Sequence, residues 1–131
     1  MSEIKTPYER IGGEAAVRKL CHTFYQIMCD TTQTQLIRAL HPKNIQISEE
    51  KLYLFLTGWL GGPPLYTDIY GHPRLRARHL SFSIGIEERD QWLYCMAQAL
   101  KTMDLDELFA QQLMSSFVQT ADFMRNQPDQ Q

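Results

Sequence analysis

The sequence predicts an all-α domain, on three observations. Apolar residues recur at helical spacing in each long segment. Gly-Gly and Pro breakers separate those segments, and no stretch alternates apolar and polar residues as a half-buried strand does. At 131 residues, with 44% hydrophobic and 21% charged residues, the chain suits a single domain, 1–131, with a substantial core.

In chain order, Thr6-Pro7-Tyr8-Glu9 reads as a capping box with proline at the first helical position, opening a short helical N-terminus over 1–12. Gly12-Gly13 ends it. Val17, Leu20, Cys21, Phe24 and Met28 then follow one helical stripe, with Tyr25 flanking it. Asp30-Thr31-Thr32 breaks the pattern. A short turn at Leu36 to Leu40 stops at His41-Pro42, because a residue before proline avoids helical geometry. Ser48 reads as an N-cap for a helix whose inner stripe is Leu52, Phe55, Leu56, Trp59 and Leu60.

Gly61-Gly62-Pro63-Pro64 stops that helix, and Gly61 to His72 reads as an ordered loop carrying Tyr66, Ile69 and Tyr70. Pro73 opens a short helix from Arg74 to Leu80. A long helix follows from Glu87 to about Met103, with Trp92, Met96, Ala99 and Met103 inward. Asp106 caps a last helix with Phe109, Leu113, Phe117, Thr120 or Ala121, and Met124 inside. The polar tail, 126–131, is expected to fray. Four substantial helices and three short ones result, with short connections that favour antiparallel neighbours.

A net charge of −2 gives no reason to expect nucleic acid or membrane as a partner. No apolar run reaches the roughly 18 residues of a membrane span, and MSEIKTPYER lacks the apolar core of a signal peptide, so a cytoplasmic protein is expected. Cys21 and Cys29 share a helix with Cα atoms ~12 Å apart, too far for a disulfide. Cys95 has no obvious partner, and all three read as buried, reduced thiols.

Among the four histidines, His22 lies off the apolar stripe and His72 braces the turn before Pro73. No two have the i, i+4 spacing of a helical zinc pair. His79 ends an arginine-rich segment containing Arg74, Arg76 and Arg78. A lone helical histidine is either structural or, set between apolar helices, a one-sided ligand to a haem iron. The arginines are either a solvated basic face or a clamp for an anionic ligand. Tyr25 and Trp92 fall on inward faces and each brings a donor that must find a partner when buried.

Taken together in order, Y-E-R-I-G-G-E at Tyr8 to Glu14, F-Y at Phe24-Tyr25, W-L-G-G-P at Trp59 to Pro63, G-H-P-R-L-R-A-R-H at Gly71 to His79 and E-R-D-Q-W-L at Glu88 to Leu93 resemble the group II truncated haemoglobins. The resemblance runs from about Tyr8 to Phe123. It implies a truncated globin fold, a two-over-two helical sandwich around one haem b (iron protoporphyrin IX). It makes His79 the proximal iron ligand and Tyr25, His41 and Trp92 the distal ligand-binding residues. Histidine at 41 departs from the aromatic residue that many members carry and adds a titratable donor. Ser48 falls where a longer globin has its distal histidine. The resemblance puts Leu52 and Phe55 on the distal haem face and Leu75 and Phe82 nearer the proximal one. Lys51, Arg78 and Tyr66 match propionate partners.

The function so implied is reversible binding of dioxygen, carbon monoxide, nitric oxide and similar small ligands. An alternative is detoxification of reactive nitrogen or oxygen species by nitric oxide dioxygenation, nitrite reduction or peroxynitrite isomerisation. Sustained dioxygenase turnover needs an unknown external reductant. An apo helical interaction module is a third reading.

Overall fold

The computed structural model describes residues 5–74, 79, 82 and 84–126. Seven α-helices and one 3-10 turn are formed by the described residues: α1 Pro7–Ile11, α2 Gly13–Asp30, the turn Thr32–Thr34, α3 Gln35–Ala39, α4 Gln46–Trp59, α5 Leu65–Tyr70, α6 Ile86–Lys101 and α7 Glu107–Phe123. No strand occurs among them, and none of their helices is long and apolar enough to cross a membrane.

Two helix pairs make up the body. α2 packs on α4, α6 packs on α7, and the pairs meet where α2 lies against α6. This is the two-over-two arrangement the sequence predicts. The stripe on α2 is fully used: Val17, Leu20, Cys21, Phe24 and Met28 are all buried. They meet Met96 and Ala99 of α6 and Phe109, Leu113 and Phe117 of α7 in one apolar core. Each large side chain removed from water there contributes about 1.5–3 kcal/mol before the entropy of ordering it is counted.

Local chemistry sets the element ends. The Thr6 hydroxyl accepts from the Glu9 amide at 3.1 Å and the Glu9 carboxylate accepts from the Thr6 amide at 3.3 Å, which is the predicted capping box. Asp106 accepts from the Phe109 amide at 3.1 Å, as expected. Gly62 is required by close approach. A Cβ there would lie 2.7 Å from the Tyr8 ring and 2.9 Å from the Thr57 carbonyl, so α1 can seat on the end of α4 only over a glycine. The Tyr8 amide donating to the Leu60 carbonyl at 2.9 Å completes that junction.

Several expectations are corrected. α4 starts at Gln46, two residues before Ser48, because the Asn44 side chain accepts from the Gln46 amide at 3.0 Å; Ser48 sits inside the first turn and caps nothing. The stretch expected as a loop from Gly61 to His72 contains α5. Arg74 does not begin the helix expected from it: its φ is +48°, and its amide donates to His72 Nδ1 at 3.1 Å, while His79 is helical as expected and residues 75–78 and 80 lie outside the described residues. Cys29 is exposed, while Cys21 and Cys95 are buried; all three are free. Asn126, expected in the frayed tail, is half-buried and hydrogen-bonded to the chain before α6.

Candidate functional site

α4 carries two apolar faces where the sequence suggests one. Leu56 and Leu60 point into the core with Tyr53, Leu54 and Thr57. Leu52, Phe55 and Trp59, at i, i+3 and i+7, form a second row that stays half-buried. A cleft of about 530 Å3 opens along this row, lined by Phe55, Trp59, His72, Pro73, Arg74 and Phe123 among others. That volume lies within the range of ligand cavities.

Around Phe24 of α2 the polar candidates gather. Tyr25 is 5% exposed, and its ring stands edge-on to Phe24 at 4.9 Å and to His41 at 5.5 Å. Trp92, half-buried on α6, meets the same Phe24 at 5.1 Å and Phe117 at 5.8 Å. Neither the Tyr25 hydroxyl nor the Trp92 indole N–H is hydrogen-bonded to a described residue, and neither is sealed in the core. Both donors therefore open onto space that something polar can enter. Burial, reinforced by the neighbouring Cys21, pushes the Tyr25 phenol well above its ordinary range, so it remains a protonated donor.

His41 is placed by backbone. Its Nδ1 lies 2.8 Å from the Ile37 carbonyl. A carbonyl only accepts, so Nδ1 carries the proton and neutral His41 keeps a lone pair on Nε2. Burial holds its pKa below the ordinary value, and the charges of Arg38 and His79 act the same way against the opposing carbonyl bond. At Nε2, His41 is thus an acceptor when neutral and a donor only once the ring is protonated.

Two residues that the sequence reading missed hold this corner. Gln91 of α6 accepts from the Ile37 amide at 3.0 Å. The Arg38 guanidinium folds back onto the carbonyls of Pro42 and Lys43 at 3.0 and 3.1 Å. Neither gives a sequence signal, because each is a polar residue on a helix surface whose partner depends on the tertiary path.

His79 is half-buried, with the Phe82 ring 6.5 Å away. Phe82 is 41% exposed. Leu75 and Arg78 lie outside the described residues. Lys51 is exposed and sets its ammonium 5.6 Å over Tyr70. Tyr70 packs on Tyr66 at 4.9 Å, and Tyr66 on Phe55 at 6.3 Å, so this chain of rings runs from the rim to the apolar row. Ser48 is half-buried in the first turn of α4.

A second cleft, of about 330 Å3 between α2 and α4, is lined by polar groups that satisfy one another: Arg18 pairs with Glu50 at 3.3 Å and His22 Nδ1 lies 3.3 Å from the Glu49 carboxylate. Its floor, Cys21, is an inert thiol whose pKa burial pushes up to about 12. The described residues contain no group of three or more metal-ligating side chains, so a bare metal centre has no support there.

The cleft beside Phe55 and Trp59 does not take Tyr25, His41, Trp92 or His79 into its lining, so the structure brings Tyr25, His41 and Trp92 together around Phe24 but not into that cleft. The residue types fit a haem, which needs an apolar slot, one imidazole and few polar groups, and the half-buried row on α4, His79 and the open Tyr25 and Trp92 donors are of those kinds.

Comparison with known proteins agrees. Residues 6–126 match the model of the bacterial-like globin family. The chain is similar to the group 2 truncated hemoglobin of Bacillus subtilis, 40% identical over 123 residues that cover 94% of this chain and 90% of that protein. Its fold is similar to the group II 2-on-2 hemoglobin of Agrobacterium tumefaciens, with a TM-score of 0.93 at 41% identity, covering 97% of this chain and 98% of that one. It also superposes on the cold-adapted truncated hemoglobin of Pseudoalteromonas haloplanktis, with a TM-score of 0.92 at 40% identity, covering 95% of this chain and 100% of that one. The chain therefore belongs to the bacterial-like globins as a group II truncated haemoglobin, a haem-binding family.

Proposed function

We propose that this globin holds one haem b through His79 and reversibly binds dioxygen and other diatomic ligands, carbon monoxide and nitric oxide included. The observation that carries the reading is the pair of open donors, Tyr25 and Trp92, whose rings both pack on Phe24. When bound, the haem iron supplies the ligand-binding centre and the redox chemistry.

This chain's residues do the rest. His79, in its neutral form, donates an imidazole lone pair from one side. Leu52, Phe55 and Trp59 exclude water from the other, which strengthens each polar contact made there. Tyr25 and Trp92 donate to a polar ligand, each bond contributing about 1 kcal/mol, more where charge develops on the ligand. Neutral His41 packs its ring edge-on beside Tyr25 and keeps an Nε2 lone pair there. Lys51, Arg78 and Tyr66 are the proposed partners of the haem's carboxylates, and Leu75 and Phe82 of its proximal face. The cytoplasm suits the three free thiols.

Ferric and ferrous absorption spectra with a haem assay test the reading directly. One haem per chain and a Soret band that shifts with carbon monoxide are expected. A folded chain that stays colourless after hemin is added would overturn it.

A further inference from the structure

The chain that follows His79 is not left to itself. Asn126, one turn past the end of α7, reaches across 47 residues of sequence and clamps it. The Asn126 side-chain Nδ2 donates to the Phe82 carbonyl at 2.7 Å and to the His79 carbonyl at 3.2 Å. The Oδ1 of the same amide accepts from the Ile84 amide at 2.9 Å, and the Asn126 backbone amide returns a bond to the Ile84 carbonyl at 2.8 Å. The His79 carbonyl also takes the Phe82 amide at 3.0 Å, so it has two donors.

The clamp is itself anchored. Asp122, one turn earlier on α7, accepts from Arg89 of α6 at 2.7 Å and from Arg125 at 3.1 Å. The first turn of α6 is closed by the Glu88 carboxylate accepting from the Gly85 amide at 2.6 Å. Asn126 therefore joins the His79 backbone to the α6–α7 pair.

We propose that Asn126 is a positioning residue for the axial histidine. By fixing the backbone at His79, Phe82 and Ile84, it sets where the imidazole stands. The role rests on the haem reading above, because without an axial bond there is nothing for it to position. The physical ground is that a ligand's orientation is set by the groups that hold its own frame, and that such partners matter nearly as much as the ligand itself. Only an amide side chain can serve here: one end must donate to two carbonyls while the other accepts from an N–H.

Two variants separate positioning from mere closure of the helix. Asn126→Ala removes both ends of the amide. Asn126→Asp is nearly isosteric and keeps the acceptor for Ile84, but turns a carboxylate oxygen toward two carbonyls. Both are compared with the parent as full-chain ferrous holoprotein by resonance Raman of the iron–histidine stretch, haem transfer to an apo-globin acceptor, and amide exchange at Ile84.

The role predicts a lowered, broadened iron–histidine band in both variants and haem loss faster by about tenfold. Ile84 protection should fall in the Ala variant and persist in the Asp variant. A parental band that both variants leave unmoved, with haem loss unchanged, overturns the role and spares the haem reading. A parent that shows no iron–histidine band overturns both.

Discussion

Tyr25 and Trp92 keep their places through rings, packed on Phe24 and, for Trp92, on Phe117. His79 keeps its place through backbone, its carbonyl held by the Phe82 amide and the Asn126 side chain. The Tyr25–Trp92 group is thus an extension of the core, whereas the His79 backbone is tied by polar bonds to residues distant in sequence. The difference has a consequence for tolerance. A packed ring responds to volume and relaxes over many neighbours, whereas a tied segment depends on individual donors and acceptors.

The comparison can be broken first at its centre. His79→Ala should abolish stoichiometric haem retention while leaving the helical circular dichroism in place, because the ring lies at the edge of the core; normal haem content in that variant would refute the axial assignment. Next in size, Tyr25→Phe combined with Trp92→Leu should speed dioxygen release by some tens of fold, from two lost bonds at about 1 kcal/mol each. Stopped-flow rates matching the parent would show that the open donors do not meet the ligand.

A third variant sharpens the contrast by cutting a polar tie on the ring-packed side. Gln91→Leu leaves the Ile37 amide without its acceptor and should cost about 1–2 kcal/mol in urea unfolding. Unchanged stability would mean that α3 does not depend on that bond. The smallest effect belongs to His41. Its folded pKa lies below the ordinary 6.5, so as pH falls the unfolded chain takes the proton first. The stability this neutral imidazole brings is complete above about pH 6.5 and is lost as pH drops below it. His41→Phe should flatten that limb of a melting-temperature profile; parallel profiles would count against it.

Elements whose signals are local were legible in the sequence. The Thr6–Glu9 box, the α2 stripe and the Asp106 cap all act within one or two turns. So did the placement of Tyr25 and Trp92 on inward faces. What escaped depends on contacts distant in sequence or on short-range geometry without periodicity. α5 is only six residues long, follows two prolines and has no side-chain cap, so neither a stripe nor a stop signal marks it. The start of α4 turned on Asn44, which reads as a loop residue until its side chain is seen on the Gln46 amide. Asn126 sits among polar residues that resemble a tail, and its partners lie more than 40 positions away. The acceptor character of His41 required a particular proton on a particular nitrogen, which only the position of the Ile37 carbonyl decides.

The double-sided character of α4 bears on how this protein comes into being. With Leu56 and Leu60 committed to the interior, Leu52, Phe55 and Trp59 offer the freshly made polypeptide a greasy strip that no part of the described chain fully covers. Porphyrin supply then governs more than colour: cells starved of it should accumulate a stickier, less heat-resistant form, since whatever fills the strip stabilises the folded state by mass action.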